Sequence, residues 1–79
     1  ITPFNFPLNL ALHKVAPALA VGCSIIIKPS PFTPLTALKM AKLFDSQPGL
    51  VQVVLANDEA TALLTRTKEI AHISFTGSA

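Results

Sequence analysis

Three consecutive isoleucines, Ile25-Ile26-Ile27, sit between Gly22 and Pro29 with a helix-length stretch on each side. β-branched side chains are stiff at χ1 and favour extended backbone, and a short run without polar alternation reads as a strand covered on both faces. The flanking stretches fit that reading. Leu8 to Val21 is apolar on nearly every face, which predicts a buried helix that Pro17 kinks or restarts and Gly22 stops. Thr33-Pro34 predicts a cap and a first-turn proline for an amphipathic helix running through Phe44, with Lys39 and Lys42 on its wet side. Pro48-Gly49 marks a turn, Leu50 to Leu55 a second strand, Asn57-Asp58 the cap of a helix reaching about Arg66, and Ala71 to Phe75 a third strand. The order is helix and strand, three times over. Strands joined by helix-length connections predict an α/β fold with a parallel sheet and helices on its faces. Ligands in such sheets bind beyond the carboxyl ends of the strands, and Lys28-Pro29-Ser30 and Thr76-Gly77-Ser78 fall at such ends.

Composition narrows the class. The 79 residues are 51% hydrophobic and 13% charged, too apolar for a disordered segment, too short for more than one domain, and marginal for a self-sufficient core. With Ile1 first and Ala79 directly after Thr-Gly-Ser, the chain reads as a piece of a larger fold. Six Lys and Arg against four Asp and Glu are scattered, with no basic block and no aromatic interleaving, which argues against nucleic acid as a partner. His13, Lys14 and Lys28 interrupt the apolar stretches before any reaches the roughly 18 residues of a membrane span. No basic region precedes the apolar start to suggest a signal peptide. A single cysteine, Cys23, allows no internal disulfide and fits a reducing, cytoplasmic setting.

Asn5 is held between Pro3 and Pro7 and between two phenylalanines. Proline fixes its own φ and drives the preceding residue extended, so a side-chain amide here can be aimed; by itself the residue reads equally as one that satisfies backbone groups in a proline-rich turn. Lys28 has two readings as well: an ammonium held over a ribose or phosphate, or a charge that ends a buried strand and reaches water. Thr76-Gly77-Ser78 is either a phosphate-facing turn or a simple one. Cys23 has no base or charge cluster beside it in sequence and reads as a buried core thiol rather than a nucleophile. His13 and His72 lack partners at metal-ligand spacing, so no metal is expected.

Four blocks taken together carry a resemblance. PFNFPL, a helix ending ALAVG, IIIKPS with TPLTALKMA after it, and ISFTGS stand in this order across essentially the whole chain, which resembles the aldehyde dehydrogenase superfamily. The resemblance implies that residues 1–79 form the first part of an NAD(P)-binding domain with a Rossmann-like α/β fold. It implies that Asn5 donates its amide to the aldehyde oxygen as part of an oxyanion hole, where loss of one donor typically costs ~2.7–4 kcal/mol of barrier. Pro3 and Phe4 of the same block are implied at the coenzyme, the phenylalanines walling the substrate or nicotinamide. Lys28 is implied at the adenosine ribose, and Ser30 with Thr76, Gly77 and Ser78 at the pyrophosphate. The absence of GxGxxG, with Gly22, Gly49 and Gly77 the only glycines, fits this superfamily better than ordinary Rossmann dehydrogenases.

Two departures matter. Many members carry an acidic residue where Pro31 stands; proline offers neither acceptor nor charge, so NADP is not excluded and NAD or NADP is expected. The loop after the second strand reads LANDEATALL without the glycine often found there, and its carboxylates would repel a phosphate, so it is not assigned to binding. The resemblance places the nucleophilic cysteine and the glutamate base in later sequence. The expected parent is therefore a homo-oligomeric dehydrogenase acting on an aldehyde through a thiohemiacetal and a thioester, and the isolated chain is expected to be inactive. A weak nucleotide-binding module and a self-associating remnant are the alternative readings.

Overall fold

The computed structural model describes residues 1–78. Its elements run α1 (Pro7–Ala20), β1 (Ile25–Ile27), α2 (Pro34–Lys42), β2 (Val51–Val53) and α3 (Asp58–Arg66). β1 and β2 pair in parallel, Ile25 opposite Val51 and Ile27 opposite Val53, with α2 as the crossover between them. Bonds from Ile25 N–H to the Leu50 carbonyl and from Val54 N–H to the Ile27 carbonyl extend the ladder beyond both ends of the strands.

Strand alternation decides which side packs. Ile27 and Val51 are buried with Ala11 and Val15 of α1 and with Ala37 and Met40 of α2, while Ile25, Val53, Leu19 and Phe44 pack around them. α1 and α2 thus share one face of the sheet. Ile26 and Gln52 point the other way, into an open groove, so β1 is covered on one face and not on two as its apolar run suggested. α1 differs from expectation for the same reason. Only Ala11 and Val15 are buried on it, whereas Leu8 and Leu12 are exposed; the helix is packed along one stripe.

Local chemistry sets the ends of the helices. α1 continues through Pro17 as one element and stops at Gly22, whose φ of 83° is open to glycine at little cost. Gly22 N–H donates to the Leu19 carbonyl and Cys23 N–H to that of Ala18, the paired bonds of a Schellman stop. Cys23 therefore has its backbone tied to the helix end and its side chain exposed, which corrects the buried thiol expected there. α3 starts as anticipated: Asn57 Oδ1 accepts from Ala60 N–H at 2.8 Å, Asp58 and Glu59 occupy the first turn, and Arg66 the last. α2 does not. Thr33 occupies the cap position, but its hydroxyl bonds to no helical N–H, and Thr33 Oγ1 is buried with no partner among the described residues.

The third strand does not form. Residues 71–75 adopt no strand among the described residues, which corrects the three-strand expectation. Among the described residues they bond to Ile1: its N–H group donates to the Ser74 carbonyl and its carbonyl accepts from Thr76 N–H, at 3.0 and 3.1 Å. Those two bonds make one parallel bridge, too little for a ladder.

The start of α1 holds the remaining irregularity. Phe6, at the cap position, has φ 49° and ψ 55°, the left-handed region that a bulky side chain avoids, and no side chain caps the helix behind it.

Two stability predictions follow from these helix starts. Asn57→Ala should destabilise the chain by about 0.5–2 kcal/mol in denaturant unfolding, while Thr33→Val, which removes an unsatisfied hydroxyl and keeps the shape, should be neutral or stabilising. Equal losses at both sites would mean that Thr33 acts as a cap in solution. At Phe6, glycine should be tolerated and valine should cost about 1–2 kcal/mol more than glycine, because only the β-branched residue resists the left-handed backbone. The same unfolding measurement on the two variants checks it.

Candidate functional site

Two residues bring three chain segments together. Thr2 N–H donates to the Lys28 carbonyl at 3.1 Å, while Ile1 exchanges the two bonds described with Ser74 and Thr76. The stretch leading to Asn5 is therefore anchored between the end of β1 and the 74–76 segment. Thr2, at 4% exposure, is among the most enclosed polar residues of the chain. The segments that carry Asn5, Lys28 and Thr76-Gly77-Ser78 meet at this splice.

Asn5 is exposed, in the bend between Phe4 and Phe6 just ahead of α1. The left-handed Phe6 turns the chain from this bend into the helix, and Pro7 at the first helical position keeps it there. Phe4 packs edge-on against Phe32, ring centroids 6.3 Å apart at 86°, which holds the opening block to the loop before α2. Pro3 is half-buried behind it.

Lys28 is only 9% exposed, yet its Nζ has no hydrogen-bond partner among the described residues and is not enclosed. The stem is buried and the ammonium emerges at the surface. Lys28 stands between two hollows, a cleft of about 480 Å³ beyond the carboxyl ends of β1 and β2, formed with Pro29, Pro31, Pro34 and the segment from Leu55 to Asp58, and the groove on the Ile26 side of β1. The walls of the cleft are mainly apolar, Asp58 is the one carboxylate in them, and Pro31 adds neither charge nor acceptor. Sequence reasoning left the 55–58 segment out of the site. Its signal was its place directly after a strand in a parallel sheet, outweighed there by its carboxylates and missing glycine.

Ser30 is placed differently. It is 7% exposed, its Oγ accepts from Phe32 N–H at 3.2 Å and its carbonyl from Thr33 N–H, so it shapes the turn behind the cleft and does not line it. Thr76 is half-buried, with Gly77 and Ser78 exposed after it. A Cβ on Gly77 would come within 2.8 Å of the Phe75 ring, so glycine lets that ring fold over the turn. Lys14, which sequence reasoning passed over, donates from Nζ to both Ser74 Oγ and Thr76 Oγ1 at 2.8 Å.

A second hollow of about 480 Å³ lies between β1 and residues 69–73, with Cys23, Ile26, Gln52 and Leu64 among its walls. No group of three or more His, Cys, Asp or Glu side chains gathers to hold a metal among the described residues. No helix among them is long and apolar enough to cross a membrane.

The amine of Ile1 titrates away from its ordinary value. Burial lowers its pKa below the ordinary α-amine value, and the charges of Lys14 and Lys28 lower it further. The folded chain then binds fewer protons than the unfolded one, so this group adds stability above the ordinary value and loses it as pH falls through the folded pKa. Unfolding of the 79-residue chain should show stability rising with pH toward about 8, and N-terminal acetylation should remove that component. An acetylated chain with an unchanged pH profile would assign the dependence to other groups.

The family model described as "Aldehyde dehydrogenase family" matches residues 1–79. A mitochondrial succinate-semialdehyde dehydrogenase of Arabidopsis thaliana is 48% identical over 83 residues, 99% of this chain and 16% of the relative. An aldehyde dehydrogenase of Enchytraeus buchholzi is 46% identical over 82 residues, and 4-trimethylaminobutyraldehyde dehydrogenase of Sus scrofa 44% over 81, each match again covering 99% of this chain and 16% of the relative. The chain thus spans about one sixth of the length of the curated relatives it matches. No solved structure matches. A match along its entire length, together with relatives 44–48% identical across it, makes the chain a member of the aldehyde dehydrogenase family.

Proposed function

We propose that residues 1–79 form part of the NAD(P)-binding region of an aldehyde dehydrogenase that oxidises an aldehyde to a carboxylic acid. The observation that carries the reading is the splice at Ile1 and Thr2, which joins the segments bearing Asn5, Lys28 and Thr76-Gly77-Ser78. Family membership supplies the reaction class.

The residues present fit a dinucleotide. The cleft beside Lys28 has an apolar lining and a volume suited to an adenosine, and the emerging ammonium can donate to ribose hydroxyls at its mouth. Pro31 leaves either NAD or NADP compatible with that wall. Thr76, Gly77 and Ser78 would face the pyrophosphate, with Gly77 allowing close approach. Ser30 would act behind them by fixing the turn after β1, and Pro3 and Phe4 by walling the nicotinamide end. When bound, the coenzyme accepts the hydride that leaves the aldehyde carbon.

Asn5 would supply electrostatic help to that chemistry. Its amide N–H donates to the carbonyl oxygen as charge gathers there, and the left-handed turn at Phe6 fixes its direction before substrate arrives. The bond from a neutral donor strengthens as the oxygen becomes an anion. We infer that the nucleophilic cysteine and general base come from other parts of the parent enzyme, because the chain spans about one sixth of its relatives' length and Cys23 has its backbone tied to the end of α1. The parent would work as a homo-oligomer in a reducing compartment, and residues 1–79 alone would bind nucleotide weakly and catalyse nothing.

The test has two parts. Adding NAD to the chain should produce saturable shifts of the Lys28 and Ser78 amide resonances; their absence would remove the coenzyme reading. In the native gene product, Asn5→Ala should lower kcat about 10²–10³-fold with a smaller change in KM, and an unaltered kcat would remove Asn5 from the reaction.

A further inference from the structure

The cleft beyond the carboxyl ends of β1 and β2 carries two charges in its walls, the ammonium of Lys28 and the carboxylate of Asp58. The rest of its lining is uncharged. Pro31, on the loop after β1, can neither accept a hydrogen bond through its side chain nor repel an anion, so selection by negative charge falls to the loop after β2.

The start of α3 fixes the sign of that selection. A helix N-terminus with free N–H groups attracts anions, and α3 begins at this wall of the cleft. Its end is already engaged by the chain itself. Asn57 Oδ1 accepts from Ala60 N–H at 2.8 Å, the Asn57 carbonyl accepts from Thr61 N–H, and Asp58 and Glu59 place two carboxylates in the first turn. Asp58 is exposed, so its carboxylate meets whatever enters the cleft.

A ribose and a 2′-phosphate meet these two charges differently. Ribose hydroxyls both donate and accept, so Asp58 can accept from one while the Lys28 ammonium donates to another. A phosphate monoester carries about −1.5 to −2 charge at pH 7 and is mainly an acceptor. Lys28 alone would draw it in, and the carboxylate opposes it.

We propose that Asp58 is a specificity-determining residue, which makes the cleft select NAD over NADP by repelling a 2′-phosphate and supplies the negative charge that Pro31 does not. The proposal rests on the coenzyme reading above.

The experiment measures Kd for NAD and NADP, and for 5′-AMP and 2′,5′-ADP as probes of the adenosine end, by calorimetry on the native gene product and its Asp58→Asn, Asp58→Glu and Glu59→Gln variants. The unaltered protein should bind NAD about tenfold or more tighter than NADP, and the two adenosine phosphates should show the same order. Asp58→Asn should bring each ratio to one or below, chiefly by tightening the 2′-phosphorylated ligand, and Asp58→Glu should keep most of the preference. Glu59→Gln removes a carboxylate from the same helical turn but not from the cleft wall, so it should leave the ratios nearly unmoved and serves as the control for folding and net charge. Raising salt from about 0.05 to 0.5 M should narrow the preference of the unaltered protein and not that of Asp58→Asn, a response that a steric role would not give. Equal affinity for the two coenzymes in the unaltered protein, or an unchanged ratio in folded Asp58→Asn, overturns the proposal alone. Binding of neither nucleotide overturns the coenzyme reading, and this proposal with it.

Discussion

The placement of the chain's two ends depends on the backbone bonds of Ile1 and Thr2. Thr2 closes onto the Lys28 carbonyl, and Ile1 exchanges bonds with Ser74 and Thr76, so two of the three backbone bonds join ends separated by most of the sequence. Each such bond contributes only about 0.5–1.5 kcal/mol net, but breaking one inside the enclosed splice would leave a donor or acceptor unsatisfied at a larger cost. The geometry follows from that asymmetry. The packed core holds α1, α2, β1 and β2 together, and the splice adds the two segments that it does not reach: the Asn5 bend and the 74–78 turn.

What was legible in the sequence is what local chemistry decides. Gly22 stopped α1 because a left-handed residue after a helix favours glycine, and Asn57 capped α3 because its side chain could reach Ala60 N–H. The parallel pairing of Ile25–Ile27 with Val51–Val53 followed from a helix-length connection. What was not legible depends on partners far away in sequence. Residues 71–75 have the apolar pattern of a strand, but among the described residues their backbone bonds across the fold go to Ile1, and pattern without a neighbouring strand makes no ladder. Thr33 has the right residue type for a cap, yet its hydroxyl makes no bond to a helical N–H.

The site shows the same division. Lys28 and the Thr76-Gly77-Ser78 turn are candidates in the sequence from their positions after apolar runs, and their segments meet at Ile1 and Thr2. Ser30, by contrast, is directed into its own turn by the Phe32 and Thr33 amides, a choice made by local geometry that residue type does not announce. Lys14 left no signal at all, because a lysine on an apolar helix reads as a solvated charge until the hydroxyls opposite it are known. Phe6 was likewise invisible: nothing in the residue type suggests a left-handed backbone, and two flanking prolines argue for an extended stretch.

Phe6 also explains why rigidity appears where the core is thin. A left-handed non-glycine residue typically costs about 1–3 kcal/mol and persists only where surrounding structure over-determines it. Here the surroundings are Pro7 at the first helical position, the bond from Leu10 N–H to the Phe6 carbonyl, and the Phe4 ring against Phe32. The Phe6 side chain itself is 72% exposed, so burial does not hold it. The turn is fixed by its flanking backbone and the Phe4–Phe32 contact and not by burial of the Phe6 ring. That arrangement leaves the Asn5 amide free to face a ligand while denying the bend that carries it freedom to relax, which is what a donor must have if it is to stabilise charge that develops elsewhere.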